Sequence, residues 1–273
     1  KGAFALKMGP AVATRRWHAE TVKKAIADES VARLADVPAD EDLPTGLALQ
    51  QGLRSAGWLQ EAGGGAGFGD VQPRFVYQLP LAGRSEEDVF AGFNQLWRRN
   101  IRKAEKSGVE VSEGTRDDLS LFHHVYVETA ARDGFTPRGL SYFQRMWDAM
   151  NAEDPQRLRL YLARHQWEVV AATTLVTVGD HAWYSYGAST TASRNVRPSN
   201  AIQWRMITDS MASGCAVYDL RGISDNLTAG DNLLGLVQFK VGTGGYAQEY
   251  AGEWDHVLRP MWNKAYDAYR KRR

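Results

Sequence analysis

Arg157-Leu158-Arg159-Leu160-Tyr161-Leu162-Ala163-Arg164, Val169-Val170-Ala171-Ala172-Thr173-Thr174-Leu175-Val176-Thr177-Val178 and Ala182-Trp183-Tyr184-Ser185-Tyr186 decide the fold of this chain. The three runs are rich in aliphatic and aromatic residues, and His165-Gln166 and Gly179-Asp180 join them, so they predict an antiparallel meander with tight turns. Helical periodicity brackets it. Before it the pattern predicts a strand over Val109–Ser112, a helix over Asp117–Arg132 capped by Thr115, and a helix from Leu140 to Met150. After it come a helix over Asn200–Ser213, a strand over Ala216–Arg221, a helix over Leu233–Val241 and a strand over Ala247–Glu253. The chain is of the α/β (α+β) class.

Upstream the reading is sparser. A strand at Phe4–Met8 precedes a helix over Ala19–Val37, an acidic connector over Pro38–Pro44 and a helix over Leu47–Ala56. The Lys1 start leads directly into that first strand, so the natural N-terminus is expected to lie further upstream. Gly63–Gly69 lacks the Lys-Ser/Thr ending of a phosphate loop and precedes the strand Arg74–Leu81 instead of a helix, so it reads as a flexible loop. Ser85-Glu86-Glu87-Asp88 opens a helix whose apolar positions Val89, Phe90, Phe93, Trp97, Ile101 and Ala104 carry it to Gly108.

Composition narrows the function. The 273 residues are 44% hydrophobic and 24% charged with a formal net charge of +1, so attraction to an anionic partner has to come from a local patch. No apolar run approaches the ~18 residues of a membrane span. The single cysteine, Cys215, lies in an apolar run, reads as a buried thiol, and fits a reducing cytoplasm.

Four groups of residues carry chemistry. Gly235-Leu236-Val237-Gln238-Phe239-Lys240-Val241-Gly242-Thr243-Gly244-Gly245 delivers a lysine into a glycine-rich turn, where the glycines would let a ligand approach the backbone. The alternative is a lysine that merely ends a strand. Arg138 and Tyr142 stand one helical turn apart and can hold an anionic group together; otherwise they are a surface arginine and a core tyrosine. In Trp183–Tyr186, strand alternation places Tyr184 and Tyr186 on one face. Arg98, Arg99, Arg102, Lys103 and Lys106 form a basic helix end suited to pyrophosphate or an RNA backbone, or to a solvated face that complements the helix dipole. His123-His124 point about 100° apart on a helix. With no further ligand at matching spacing, they do not make a metal site.

Several of these segments together resemble the FemABX family of aminoacyl-tRNA-dependent peptidyltransferases. They are Arg98–Val109, Glu128-Thr129-Ala130-Ala131-Arg132-Asp133-Gly134-Phe135 with Arg138 and Tyr142-Phe143, Tyr184–Ser189, Tyr218-Asp219-Leu220-Arg221-Gly222-Ile223, and Phe239-Lys240-Val241-Gly242, in order over roughly residues 95–260. The order of elements around the meander is that of a GNAT-type acyltransferase domain. The resemblance implies tandem GNAT-like domains, here residues 1–108, incomplete and completed by 253–273, followed by 109–252. A family substrate-binding residue expected early in the first domain has no assignable match, and no long helical arm for tRNA is encoded.

The implied activity moves an amino acid from aminoacyl-tRNA to an amine of a peptide acceptor, a peptidoglycan precursor or a related peptide antibiotic. It needs no metal or organic cofactor. Lys240 matches the family's functional lysine and would stabilise the oxyanion, with Phe239 packed beside the peptide; Arg138, Tyr142 and one of Tyr184 and Tyr186 would hold the acceptor. A cytoplasmic monomer is expected, with peripheral association at the inner membrane face. Two rivals stand beside it. One is an acyl-CoA-dependent N-acetyltransferase, against which Arg194-Asn195-Val196-Arg197-Pro198-Ser199 puts arginine and serine where a CoA loop needs glycines. The other is an RNA-binding module that has lost catalysis.

Overall fold

A computed structural model describes residues 3–60 and 72–270. The predicted Gly63–Gly69 loop lies outside the described residues. The chain opens with β1 (Ala5–Met8), β2 (Ala13–His18) and α1 (Ala19–Ala27). The helix predicted over Ala19–Val37 thus stops early, because Asp28 Oδ1 accepts from the Ser30 backbone N–H and hydroxyl and closes a turn that competes with further helix. The acidic connector carries β3 (Glu41–Asp42), then come α2 (Pro44–Ser55), β4 (Leu59–Gln60) and β5 (Phe75–Pro80).

The helix predicted from Ser85 to Gly108 is two helices, α3 (Glu86–Gly92) and α4 (Gln95–Lys106). Ser85 and Asp88 form a capping box on α3, and Asn94 caps α4 through its side chain to the Trp97 N–H. Next are β6 (Glu110–Gly114), α5 (Leu119–Asp133) and α6 (Leu140–Asn151). Thr115 does not cap α5; its hydroxyl donates to Asp118, the N-cap residue. The meander follows as β7 (Leu158–His165), β8 (Glu168–Val178) and β9 (His181–Ser189). Its first turn falls at Gln166 and Trp167, both with positive φ. The chain closes with α7 (Pro198–Ala212), β10 (Val217–Gly222), α8 (Leu234–Val241), β11 (Tyr246–Tyr250), β12 (Trp254–Val257) and α9 (Pro260–Arg270).

Two compact units result, one made of residues 1–77, 222–241 and 245–273, the other of 78–221 and 242–244. They differ from the division expected at residues 108 and 252. In the first unit, Gly222–Val241 returns to the N-terminal segment, where Leu34 N–H donates to Asp225 O, Leu227 N–H to Ala32 O, and Arg33 pairs with Asp225 at 2.6 Å. Its strands run β3-β2-β11-β5 in one sheet, and β1-β12-β4 form a second. Trp17 and Trp254, both fully buried, spend their indole N–H groups on the carbonyls of Val37 and Ala251.

The second unit carries the sheet β10-β9-β8-β7-β6, antiparallel from β9 to β6 and parallel where β10 meets β9. One face buries Phe122, Tyr126, Phe143, Leu160, Leu162 and Ala188 under α5 and α6. Each fully buried Phe or Leu contributes roughly 1.5–3 kcal/mol. On the other face, Tyr161 donates to Asp209 and Tyr218 to Gln203, both on α7.

The glycines after Lys240 serve packing. A Cβ at Gly242 would strike the Trp97 indole, and one at Gly244, whose φ is +77°, would strike the Gly92 carbonyl. Gly242 O also accepts from Asn94 N–H at 2.8 Å, so this turn closes on the α3–α4 junction instead of leaving backbone open to a ligand.

Candidate functional site

Lys240 sits in the last turn of α8, where a cation suits the helix dipole, so the strand-end alternative does not apply. Its side chain is buried, with the residue 4% exposed, and Nζ donates to Gly222 O at 2.6 Å. Lysines are almost never this buried without a specific arrangement to hold the charge. Val237 and Val241 on the same helix are buried with it, while Phe239 is half-buried.

In the second unit the structure brings Arg138, Tyr142 and Tyr186 together. The Arg138 guanidinium lies 4.5 Å from the centre of the Tyr142 ring, and the Tyr142 and Tyr186 hydroxyls are 2.9 Å apart. His123 Nε2 donates to the Arg138 carbonyl at 3.0 Å and fixes the segment that enters α6. Tyr186 packs edge-on to Phe143 and Tyr126. Burial, and then its bond to Tyr142, push the Tyr186 hydroxyl up to about 12, so at neutral pH the pair is joined by a phenol hydrogen bond.

Tyr184 does not join them. Between Ala172 and Thr174 of β8 lies Thr173 alone, and opposite it lie two residues of β9, Tyr186 and Gly187, a bulge at which Tyr186 takes φ +45°. The extra residue cancels the alternation on which the shared face depends. Tyr186 therefore enters the α5–α6 cluster. Tyr184 stays in phase with Ala182, the strand neighbour of Tyr218, on the side of α7. Its hydroxyl rests on Gly187, where no Cβ fits, and burial lifts it to about 12.

The basic helix end lines a basin of about 630 Å³ with Gln95, Arg98, Arg99, Arg102, Lys103, Lys106 and Ser107. Its cations are not equivalent. Arg98 donates to Ala91 O and Phe93 O, each at 2.7 Å, and so ties the junction between α3 and α4. Arg102 lies over the Phe90 ring at 5.4 Å, while Arg99, Lys103 and Lys106 are exposed. Arg194–Val196 form a short 3-10 turn and Arg197 takes φ +61° just before α7, so side chains stand where a CoA loop would have bare glycine backbone.

Two buried carboxylates escaped the sequence reading. Asp219, on β10, accepts from Gln78 Nε2 at 2.9 Å, from Arg221 N–H at 2.6 Å and from His181 Nε2 at 3.3 Å. It thereby holds Arg221 at φ +66° at the end of the strand. Glu249, on β11, takes Thr14 Oγ1 at 3.0 Å, Arg15 Nε at 2.7 Å and Arg74 Nε at 2.9 Å. Burial alone would raise its carboxyl, but the hydrogen bonds and charges of Arg15 and Arg74 hold it below the usual range. The signal available for both was a lone acid within an apolar strand, which in a folded protein needs donors around it.

Comparison with known proteins identifies the family and the shared fold. A family model described as the FemAB family matches residues 44–165 and 158–271. The lipid II:glycine glycyltransferase of Staphylococcus haemolyticus (strain JCSC1435) is 24% identical over 307 residues, covering 88% of this chain and 71% of that protein. Its counterpart in Staphylococcus saprophyticus is 23% identical over 298 residues, covering 85% and 70%. The crystal structure of FemX superposes with a TM-score of 0.75 at 20% identity, covering 96% of this chain and 74% of that one. The α/β fold is therefore shared with FemX.

Proposed function

This chain belongs to the FemAB family, and from that premise we propose that it transfers an amino acid from aminoacyl-tRNA to an amine on the peptide of a peptidoglycan precursor. The observation that carries the proposal is the buried Lys240 ammonium at the end of α8. The relatives' name, lipid II:glycine glycyltransferase, supports a lipid-linked precursor as acceptor and glycine as the first donor to try.

The chemistry follows from an activated ester. The acceptor amine attacks the ester carbonyl, an amide bond forms, the bond to the tRNA ribose oxygen breaks, and the amine's proton ends on that oxygen. Lys240 stabilises the tetrahedral oxyanion, and a fixed cation in a site shielded from water is worth far more than the same charge in solvent. Phe239 packs beside the peptide. Arg138, with the Tyr142–Tyr186 hydroxyl pair, holds an anionic group of the acceptor. Arg99, Arg102, Lys103 and Lys106 grip the tRNA backbone.

Incubation with charged tRNAs and candidate acceptors, read by product mass, tests the reading. An acceptor heavier by one aminoacyl residue, lost after RNase treatment, is the expected product. Acyl-CoA turnover that survives RNase would favour the acetyltransferase instead.

A further inference from the structure

Several exposed apolar side chains of the first unit cluster in sequence at and just before α9. Leu258 is 47% exposed, Met261 85%, Trp262 65% and Tyr266 44%. A lone exposed Leu needs no explanation, but four large apolar groups within nine residues make a patch. Leu6 on β1, 46% exposed, belongs to it, since it pairs with His256 two residues before Leu258. The Phe4 carbonyl accepts from the Leu258 and Arg259 N–H groups at 2.9 Å each, and the Phe4 ring meets Tyr266 at 5.3 Å.

The same segment concentrates charge. Between Leu258 and Arg273 the sequence carries Arg259, Lys264, Arg270, Lys271, Arg272 and Arg273 against Asp267 alone, in a chain whose net charge is only +1. We infer that α9, with Leu258 and Leu6, docks on an anionic lipid surface. Met261 and Trp262 enter the headgroup boundary, and the positive charge that the segment carries in sequence favours anionic over neutral lipid, the combination that holds an amphipathic helix in an interface. A second copy would bring the same cations against themselves. An RNA would satisfy the cations and leave Met261 and Leu258 in water. The purpose of docking, access to a lipid-borne acceptor, rests on the proposed function; the docking itself is measured without substrate.

The test is flotation of the full chain with phosphatidylcholine vesicles, with or without phosphatidylglycerol, alongside a Met261→Glu/Trp262→Glu variant. Wild type should float with the phosphatidylglycerol vesicles, stay behind with phosphatidylcholine alone and be released by salt. The variant should partition about tenfold or more less strongly, with unchanged melting temperature and unchanged transfer to a water-soluble acceptor. Failure of wild type to float, or equal flotation of the variant, overturns docking. So does a variant that changes only the oligomeric state, which would assign the patch to a second copy. Transfer without flotation would leave the proposed function standing and remove this inference; flotation without transfer would do the reverse.

Discussion

Lys240 and the cations of α4 carry the same charge in opposite settings. Lys240 is 4% exposed and engages Gly222 O at 2.6 Å, whereas Arg99, Lys103 and Lys106 face solvent around an open basin. In water a unit charge is screened within ~8–10 Å and acts mainly by attracting a polyanion. Out of water it acts at short range on whatever charge develops beside it. Under the proposed function the difference would give them different work: the buried cation would serve the bond that forms, and the exposed ones would hold the nucleic acid that delivers the amino acid.

The largest expected effect is on Lys240. Lys240→Met keeps the apolar stem and removes the charge, so the rate should fall by roughly two orders of magnitude or more while both substrates still bind. Turnover within a few-fold of wild type would put Lys240 on the same footing as any packed side chain. Glu249 supplies a comparison within the first unit, a buried carboxylate held by Thr14, Arg15 and Arg74. Glu249→Gln should lower stability by roughly 1–3 kcal/mol in urea unfolding and leave the rate nearly unchanged. A loss of rate at full stability would move Glu249 into the chemistry.

The pH dependence has a definite sign. A carboxyl held below its ordinary value contributes stability above the unfolded value of about 4.3, and loses it as pH falls through the lowered folded value. Acid unfolding of Glu249→Gln should therefore be less steep than that of wild type. Equal slopes would remove Glu249 from the account of acid stability.

Tyr186→Phe breaks the 2.9 Å hydroxyl pair and keeps the ring packed on Phe143. It should raise KM for the acceptor several-fold, about 1 kcal/mol, with KM for tRNA unchanged. The smallest effect is for Arg99→Glu with Lys103→Glu, which should weaken tRNA binding and flatten its dependence on log salt by roughly 0.7–0.9 per lost phosphate contact. An unchanged slope would return α4 to a solvated face.

The sequence discloses these settings unevenly. The meander and the helices around it were legible because runs rich in apolar and β-branched residues fill Leu158–His165 and Glu168–Val178, and helical spacing runs through Leu119–Asp133. The break at Phe93-Asn94 was hidden, since apolar spacing continues from Phe90 to Trp97 and only Asn94, an N-cap residue, marks the new start. The bulge at Tyr186 was likewise hidden, because a tyrosine occupies the left-handed position and Gly187 beside it is the one clue. Lys240 stood out for its glycines, yet Gly242 and Gly244 pack against Trp97 and Gly92, so the feature that drew attention to it serves the fold. Burial, which sets Lys240 apart from Lys103, has no local signature in either stretch of sequence.

The division of labour is tested most directly on the unmodified protein, by following single-turnover transfer across a salt series at limiting and at saturating aminoacyl-tRNA, with acceptor saturating throughout. At limiting tRNA the rate should fall steeply and linearly in log salt, because exposed cations release counterions when they bind RNA. At saturation it should be nearly flat, because the role proposed for Lys240 is a short-range one, out of reach of ions. A slope that stays equally steep at saturation would contradict the account, since the bond-forming step would then depend on solvent-exposed charge.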